Sequence, residues 1–142
     1  MTTRILVPMD DSAMAGQALE YAIETCVDPE ITVLHVVGGA TMMMGEAVSL
    51  ALEDDIAAAA EARAEPVFER ARQLADDHGV DIRTRVAVGD PARAIVKRAD
   101  DYDTVVMGSH GKHSEDIARN ILIGNVAQKV FRRSPIPVTT VR

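Results

Sequence analysis

Aromatic side chains are almost missing from this chain of 142 residues, which has two Tyr, two Phe and no Trp. A stacking surface for single-stranded nucleic acid needs exposed rings, so that function is not expected. The core must be built from Ala, Val, Ile, Leu and Met. An excess of positive charge is missing as well: 15 Lys and Arg stand against 22 Asp and Glu, a net charge of −7. Phosphate neutralisation dominates the affinity for DNA and RNA, so no nucleic-acid partner is expected. No apolar run approaches the roughly 20 residues of a membrane helix, so no membrane partner is expected either. Cysteine occurs once, at Cys26. That excludes an intrachain disulfide and a Cys-rich metal site, and it fits a reducing compartment. Met1-Thr2-Thr3-Arg4 leads into a strand-like run with no cleavable leader, so a cytoplasmic location is expected.

The remaining composition is that of a soluble globular protein, 47% hydrophobic and 26% charged, at the usual size for one domain spanning 1–142. Apolar runs and amphipathic segments alternate along it. Ile5-Leu6-Val7 reads as a strand buried on both faces and ends at Pro8-Met9-Asp10. Ser12 or Asp11 can cap the next helix, with Ala15, Ala18, Leu19, Ala22, Ile23 and Cys26 inward and Asp28-Pro29 as its end. Ile31–Val37 is a second strand. A long helix follows from about Leu52 to Asp77, closed by Gly79, with Pro66 expected to kink or divide it. Val80–Val88 alternates, as a half-exposed strand near a sheet edge does. Asp90 and Pro91 open a helix as N-cap and first residue. Tyr102–Met107 is a fourth strand, Gly124-Asn125 opens a helix through Arg133, and Ile136–Val141 is the last strand. Strands joined by helical crossovers imply an α/β fold: an open, mostly parallel five-stranded sheet with helices on both faces.

In such a sheet, ligands bind beyond the carboxyl ends of the strands where the strand order switches. Two strand ends carry suitable chemistry. The first ends at Asp10, a carboxylate able to accept hydrogen bonds from ligand hydroxyls. The fourth ends in Gly108-Ser109-His110-Gly111, where two glycines three apart could form a nest of main-chain N–H groups for an anion. Gly124-Asn125 then begins a helix whose first N–H groups favour phosphate. The simpler alternative stays open at this point: Gly108 and Gly111 shape a turn, and Asp10 caps a helix. Residues 108–142 hold six basic residues against two acidic ones, which makes this the quarter of the chain best suited to an anion. Arg132 and Arg133, however, lie where they would complement a helix dipole in any case.

These residues resemble a known family. VPMDDS after the first strand, VLHVV in the second, and VVMGSHGK followed by GNVAQKVFRRSPIPVTTVR are similar to universal stress protein domains, over the whole chain and in order. The resemblance implies a Rossmann-like sheet of the universal stress protein and adenine-nucleotide alpha-hydrolase-like type. It further implies an ATP-binding subclass marked by Gly-x₂-Gly, nine residues, then Gly-Ser/Thr. By position Gly108, Gly111 and Gly124 are the three glycines. The resemblance implies that Asp10 contacts ribose, that the backbone near Val36 and Met107 borders adenine, and that the glycines with Asn125 hold phosphates. Pro8, Met9, His110 and Val126 are the candidate contacts beside these, and Lys112 is a basic loop residue that could either reach a phosphate or simply be solvated. ATP is the implied ligand, with Mg²⁺ arriving on its phosphates. The chain departs from the pattern twice. Twelve residues (112–123) separate Gly111 from Gly124, and position 125 is Asn rather than Ser or Thr. The resemblance also implies a homodimer pairing Ile136–Val141 with its copy, a two-fold arrangement that would satisfy both strand edges alike.

Other chemistry is thin. His35 alternates with apolar neighbours and reads as packed, His78 ends a helix, and Cys26 reads as an inert core residue. Met42–Met44 reads as ordinary packing. No Gly-x-Ser-x-Gly elbow, His-Glu-x-x-His helix, Walker loop or metal cage is present, so little or no catalysis is expected. A nucleotidyltransferase or flavin enzyme would want a signature after the first strand that MDDSAM lacks. The expected function is a dimeric, adenine-nucleotide-binding, stress-responsive module. The alternative is the same fold and dimer without nucleotide, acting as an interaction protein.

Overall fold

Ile5, Leu6 and Val7 are all fully buried, which only a strand covered on both faces achieves. The computed structural model describes residues 2–38, 53–110 and 124–142. In chain order these form β1 (Thr3–Pro8), α1 (Ala13–Thr25), β2 (Pro29–Val37), α2 (Glu53–Asp77), β3 (Ile82–Val88), α3 (Pro91–Ala99), β4 (Thr104–Gly108), α4 (Asn125–Arg133) and β5 (Val138–Val141). The strands make one sheet in the order β3-β2-β1-β4-β5. Every neighbouring pair is parallel.

Each face of the sheet has its own core. Ile5, Val7, Met9, Ile31, Val33 and Val106 pack beneath α1 and α2, which contribute Ala15, Ala18, Leu19, Ala22, Ala64, Val67, Phe68 and Ala71. On the other face Leu6, Leu34, Val105 and Met107 meet Ala92, Ile95 and Ala99 of α3 and Ala127 and Val130 of α4. The shortage of aromatics thus has a structural counterpart. The inward helix positions are largely alanines, so helices sit close to the sheet and β-branched strand residues fill the space.

Local chemistry sets most boundaries. Ser12 caps α1 by accepting from the Ala15 amide at 3.1 Å, and Asp90 caps α3 by accepting from Arg93 at 2.9 Å with Pro91 in the first turn. Gly79, at φ 69°, ends α2. The Val80 amide donates to Ala75 at 2.9 Å and the Gly79 amide to Asp76 at 3.0 Å, a Schellman closure. That closure also keeps Val80 and Asp81 out of β3.

Three expectations need correction. The long helix is not divided: α2 runs from Glu53 through Pro66 to Asp77. Pro66 lies on the exposed side, where water can take the freed carbonyl, and Ala64, Val67, Phe68 and Ala71 are buried around it. The last strand begins at Val138 rather than Ile136. Ser134 Oγ donates to the Ile136 carbonyl at 2.8 Å and accepts from its amide at 3.2 Å, which holds Ile136 in a turn. The fourth strand begins at Thr104 because the Tyr102 amide is still bonded to Ala99 at 3.0 Å. Met42–Met44 lies outside the described residues.

Candidate functional site

The chain enters the sheet at its centre, winds outward through β2 to β3, then crosses to β4 and β5 on the other side of β1. The switch in strand order therefore falls between β1 and β4. Their ladder joins only Ile5 with Thr104 and Leu6 with Val105, whereas β1 and β2 pair from Thr3 with Pro29 to Pro8 with Leu34. The carboxyl ends of β1 and β4 run on past their common ladder. These ends carry Pro8, Met9 and Asp10 on one rim and Gly108, Ser109 and His110 on the other. This is the crevice in which an open α/β sheet takes its ligand.

The β1 rim is held by polar side chains. Asp10 is half-buried, and its Oδ1 accepts from the Ser12 amide at 2.9 Å. Ser12, not Asp10, caps α1. His35 donates from Nδ1 to the Met9 carbonyl at 2.8 Å, so it is half-buried and also employed in shaping this rim. Arg70 of α2 donates from Nη1 to the carbonyls of Asp11 and Ser12, at 3.0 Å each. Neither role is legible from spacing, because 26 residues separate His35 from Met9 and 58 separate Arg70 from Ser12.

The β4 rim is held by packing and main-chain bonds. Gly108 is the last residue of β4, opposite Val141 of β5. A Cβ there would lie 3.0 Å from Met14 Cβ and 3.2 Å from its carbonyl carbon. The absent side chain is what lets the first turn of α1 approach β4. Gly108 is thus a strand-end residue pressed against a helix, and the other glycine of the expected nest, Gly111, lies outside the described residues. The Ser109 amide donates to Val141 at 2.8 Å, and the Gly124 amide donates to the Ser109 carbonyl at 2.7 Å. Those two amides therefore serve the fold rather than standing bare for an anion. Gly111 and Lys112 lie outside the described residues.

The Gly124 bond has a second consequence. It brings the amino end of α4 to the end of β4, at the same end of the sheet. Gly124 is the N-cap and makes no side-chain capping bond, and Asn125 and Val126 are exposed in the first turn. The orphan N–H groups of that turn are what this structure offers an anion. Arg132 and Arg133 occupy the last turn of α4, about 12 Å along its axis, so they complement the dipole rather than the anion.

Met9 and Met107 are buried in opposite cores, and Val36 packs against the core that holds Met107. Met9 and Met107 can therefore border a ligand only through their main chain, whereas Val36 is half-buried. His110 is buried, with Nδ1 3.2 Å from Ser109 Oγ, which in turn lies 3.6 Å from Met14 Sδ. Its Nε2 is buried with no hydrogen-bond partner among the described residues. The Asp10 carboxylate and, among the described residues, a helix end without a side-chain cap thus lie at the carboxyl ends of β1 and β4, with the buried His110 ring behind them, an acceptor and donor set suited to a hydroxylated, anionic ligand. Among the described residues no group of three His, Cys, Asp or Glu could hold a metal ion. Cys26 packs half-buried against the α1-side core, and burial pushes its thiol pKa up, away from nucleophilic use. Among the described residues no helix is long and apolar enough to cross a membrane.

Comparison with known proteins agrees with this architecture. A family model described as "Universal stress protein family" matches residues 1–142. Universal stress protein MJ0577 of Methanocaldococcus jannaschii is 30% identical, in an alignment covering 100% of this chain and 96% of that protein. A solved structure of MJ0577 superposes with a TM-score of 0.78, covering 98% of this chain and 94% of the other at 30% identity. A universal stress protein from Archaeoglobus fulgidus in complex with dAMP superposes at 0.68 and 22% identity, covering 99% and 98%. A universal stress protein family protein from Arabidopsis thaliana with AMP bound superposes at 0.67 and 20% identity, covering 98% and 90%.

Proposed function

The chain belongs to the universal stress protein family, and from that premise we propose that it is an adenine-nucleotide-binding module of a stress response, with ATP as ligand and little or no turnover. One observation carries the reading. The strand switch sets the Asp10 rim beside the β4 rim, and the Gly124 bond to Ser109 at 2.7 Å brings the amino end of α4 to the same place. Asp10 would accept from ribose hydroxyls, the first turn of α4 would face the phosphates, and the main chain at Val36 and Met107 would border the base. Mg²⁺ would arrive with the phosphates. Neighbours of the same fold that hold dAMP and AMP support the ligand class.

The test is calorimetry with ATP and Mg²⁺ on the wild type and on Asp10→Asn. Saturable heat for the wild type, weakened about tenfold in the variant, is the expected result. No heat at millimolar nucleotide would sink the reading. Phosphate release measured over hours checks the catalytic side, and steady multiple turnover would contradict it.

A second reading, a nucleotide-free interaction module, draws on the twelve residues between Gly111 and Gly124 and on the engagement of the Gly124 amide within the fold. Both readings share a cytoplasmic homodimer. β5 stands at the sheet edge beside β4, and its outer edge is open for pairing with a copy among the described residues. Light scattering should give a dimer mass that Val138→Pro reduces; a monomer at micromolar concentration would count against it.

A further inference from the structure

We infer that Arg70 is a positioning residue for the ligand rim of β1, and that Gly16 is glycine in order to receive it; this rests on the nucleotide reading above. Arg70 stands about two thirds of the way along α2, yet its Nη1 bridges two consecutive carbonyls, Asp11 and Ser12, at 3.0 Å each. These follow directly after Asp10, and the Ser12 amide is the donor to Asp10 Oδ1 at 2.9 Å. Moving the 11–12 peptides moves that donor, and the Asp10 carboxylate with it. On the other side, His35 holds the Met9 carbonyl at 2.8 Å. Asp10 is therefore bracketed by two side chains from two different elements.

Gly16 supplies the independent observation. It is buried on α1, and a Cβ built there would lie 2.8 Å from Arg70 Nη2. A methyl group would crowd the guanidinium, whose head must shift to admit it. Helix propensity argues the other way, since alanine is the better helix former in a helix interior. Glycine at this position weakens α1 and admits Arg70. Placing a cation at a helix amino terminus also opposes the dipole. Neither choice favours helix stability, and both fix the rim.

The assignment separates position from stability, and so does its test. Arg70→Met keeps the apolar stem and removes both bonds. Gly16→Ala leaves Arg70 in sequence and displaces its head. Arg72→Met removes the same charge from the same helix, away from the rim. Calorimetry with Mg²⁺-ATP and with 2′,3′-dideoxy-ATP is run on each variant, beside urea unfolding. Arg70→Met should weaken ATP about tenfold and the dideoxy analogue far less, because the lost contact is the Asp10 contact to ribose hydroxyls. Gly16→Ala should reproduce that pattern and add no further loss in the Arg70→Met background. Arg72→Met should leave both affinities alone. Equal weakening of both nucleotides, or none, overturns the assignment. If the wild type binds neither nucleotide, the nucleotide reading falls by itself and hydrogen exchange decides the positioning role. Faster exchange of the Ser12 and Ala15 amides in Arg70→Met, but not in Arg72→Met, sustains it; unchanged rates refute it.

Discussion

The two rims of the crevice between β1 and β4 are built by opposite means. The β1 rim is held by side-chain donors that arrive from elsewhere, His35 from β2 and Arg70 from α2, onto the carbonyls of Met9, Asp11 and Ser12. The β4 rim is held by contact and by its own backbone: Gly108 against Met14, Ser109 bonded to Val141, Gly124 bonded to Ser109. Polar positioning leaves a carboxylate oriented at the surface of the crevice at modest energetic cost. Packing leaves no tolerance for added volume. Substitutions on the first rim should therefore change function more than stability, and those on the second should do the reverse.

The comparison can be broken most sharply at Gly108. Gly108→Val should cost about 2–3 kcal/mol in urea unfolding, because its methyl groups must enter space held by the Met14 backbone. A variant as stable as the wild type would show that α1 does not press on β4. Any loss of nucleotide affinity in this variant would follow from the displaced helix, so it is a poor probe of phosphate contact. Ser12→Ala should cost about 1 kcal/mol by removing the cap on Ala15, and it should also disturb Asp10, whose partner is the Ser12 amide. Asp90→Ala removes an equivalent cap from α3, away from both rims, for about 1 kcal/mol. If the rims differ as described, Ser12→Ala weakens nucleotide binding and Asp90→Ala does not; equal affinities would erase the distinction. Arg72→Gln breaks an exposed pair with Glu65 at 2.9 Å and should shift stability by less than about 0.5 kcal/mol.

The smallest effect concerns pH. The Leu74 carbonyl, then Glu24, hold the His78 pKa above its ordinary value. A raised folded-state pKa adds stability that is fully present below the ordinary histidine range and is lost as pH rises through the raised value. His78→Asn should flatten that part of the stability profile and leave nucleotide binding unchanged, measured by thermal unfolding at several pH values.

Much of the architecture was legible because its signals are local. Asp90-Pro91, Gly79 and the triply buried Ile5-Leu6-Val7 each act within a few residues, and they sit where their chemistry places them. The division expected at Pro66 does not occur, because a proline cost stated for an isolated helix omits the burial of Phe68 and Ala71 beside it. Ile136 misled because β propensity omits the Ser134 turn. The site was half legible. Asp10 and Gly108 stand out at strand ends, but the reason for Gly108 is Met14, 94 residues away in the chain and unreadable from a glycine spacing. Nothing in the local pattern sets Arg70 apart from the other charged residues of α2.

By itself, then, the amino-acid sequence determined the alternation of strands and helices, the parallel sheet and the family, since periodicity and caps are written over short spans. The tertiary structure alone decided that β1 and β4 are neighbours with β5 at the edge. It alone decided that Arg70 and His35 meet the Asp10 loop and that the Gly124 amide is engaged by Ser109. Those contacts join distant parts of the chain, and their partners are chosen by how the helices pack on the sheet rather than by any pattern that adjacent residues carry.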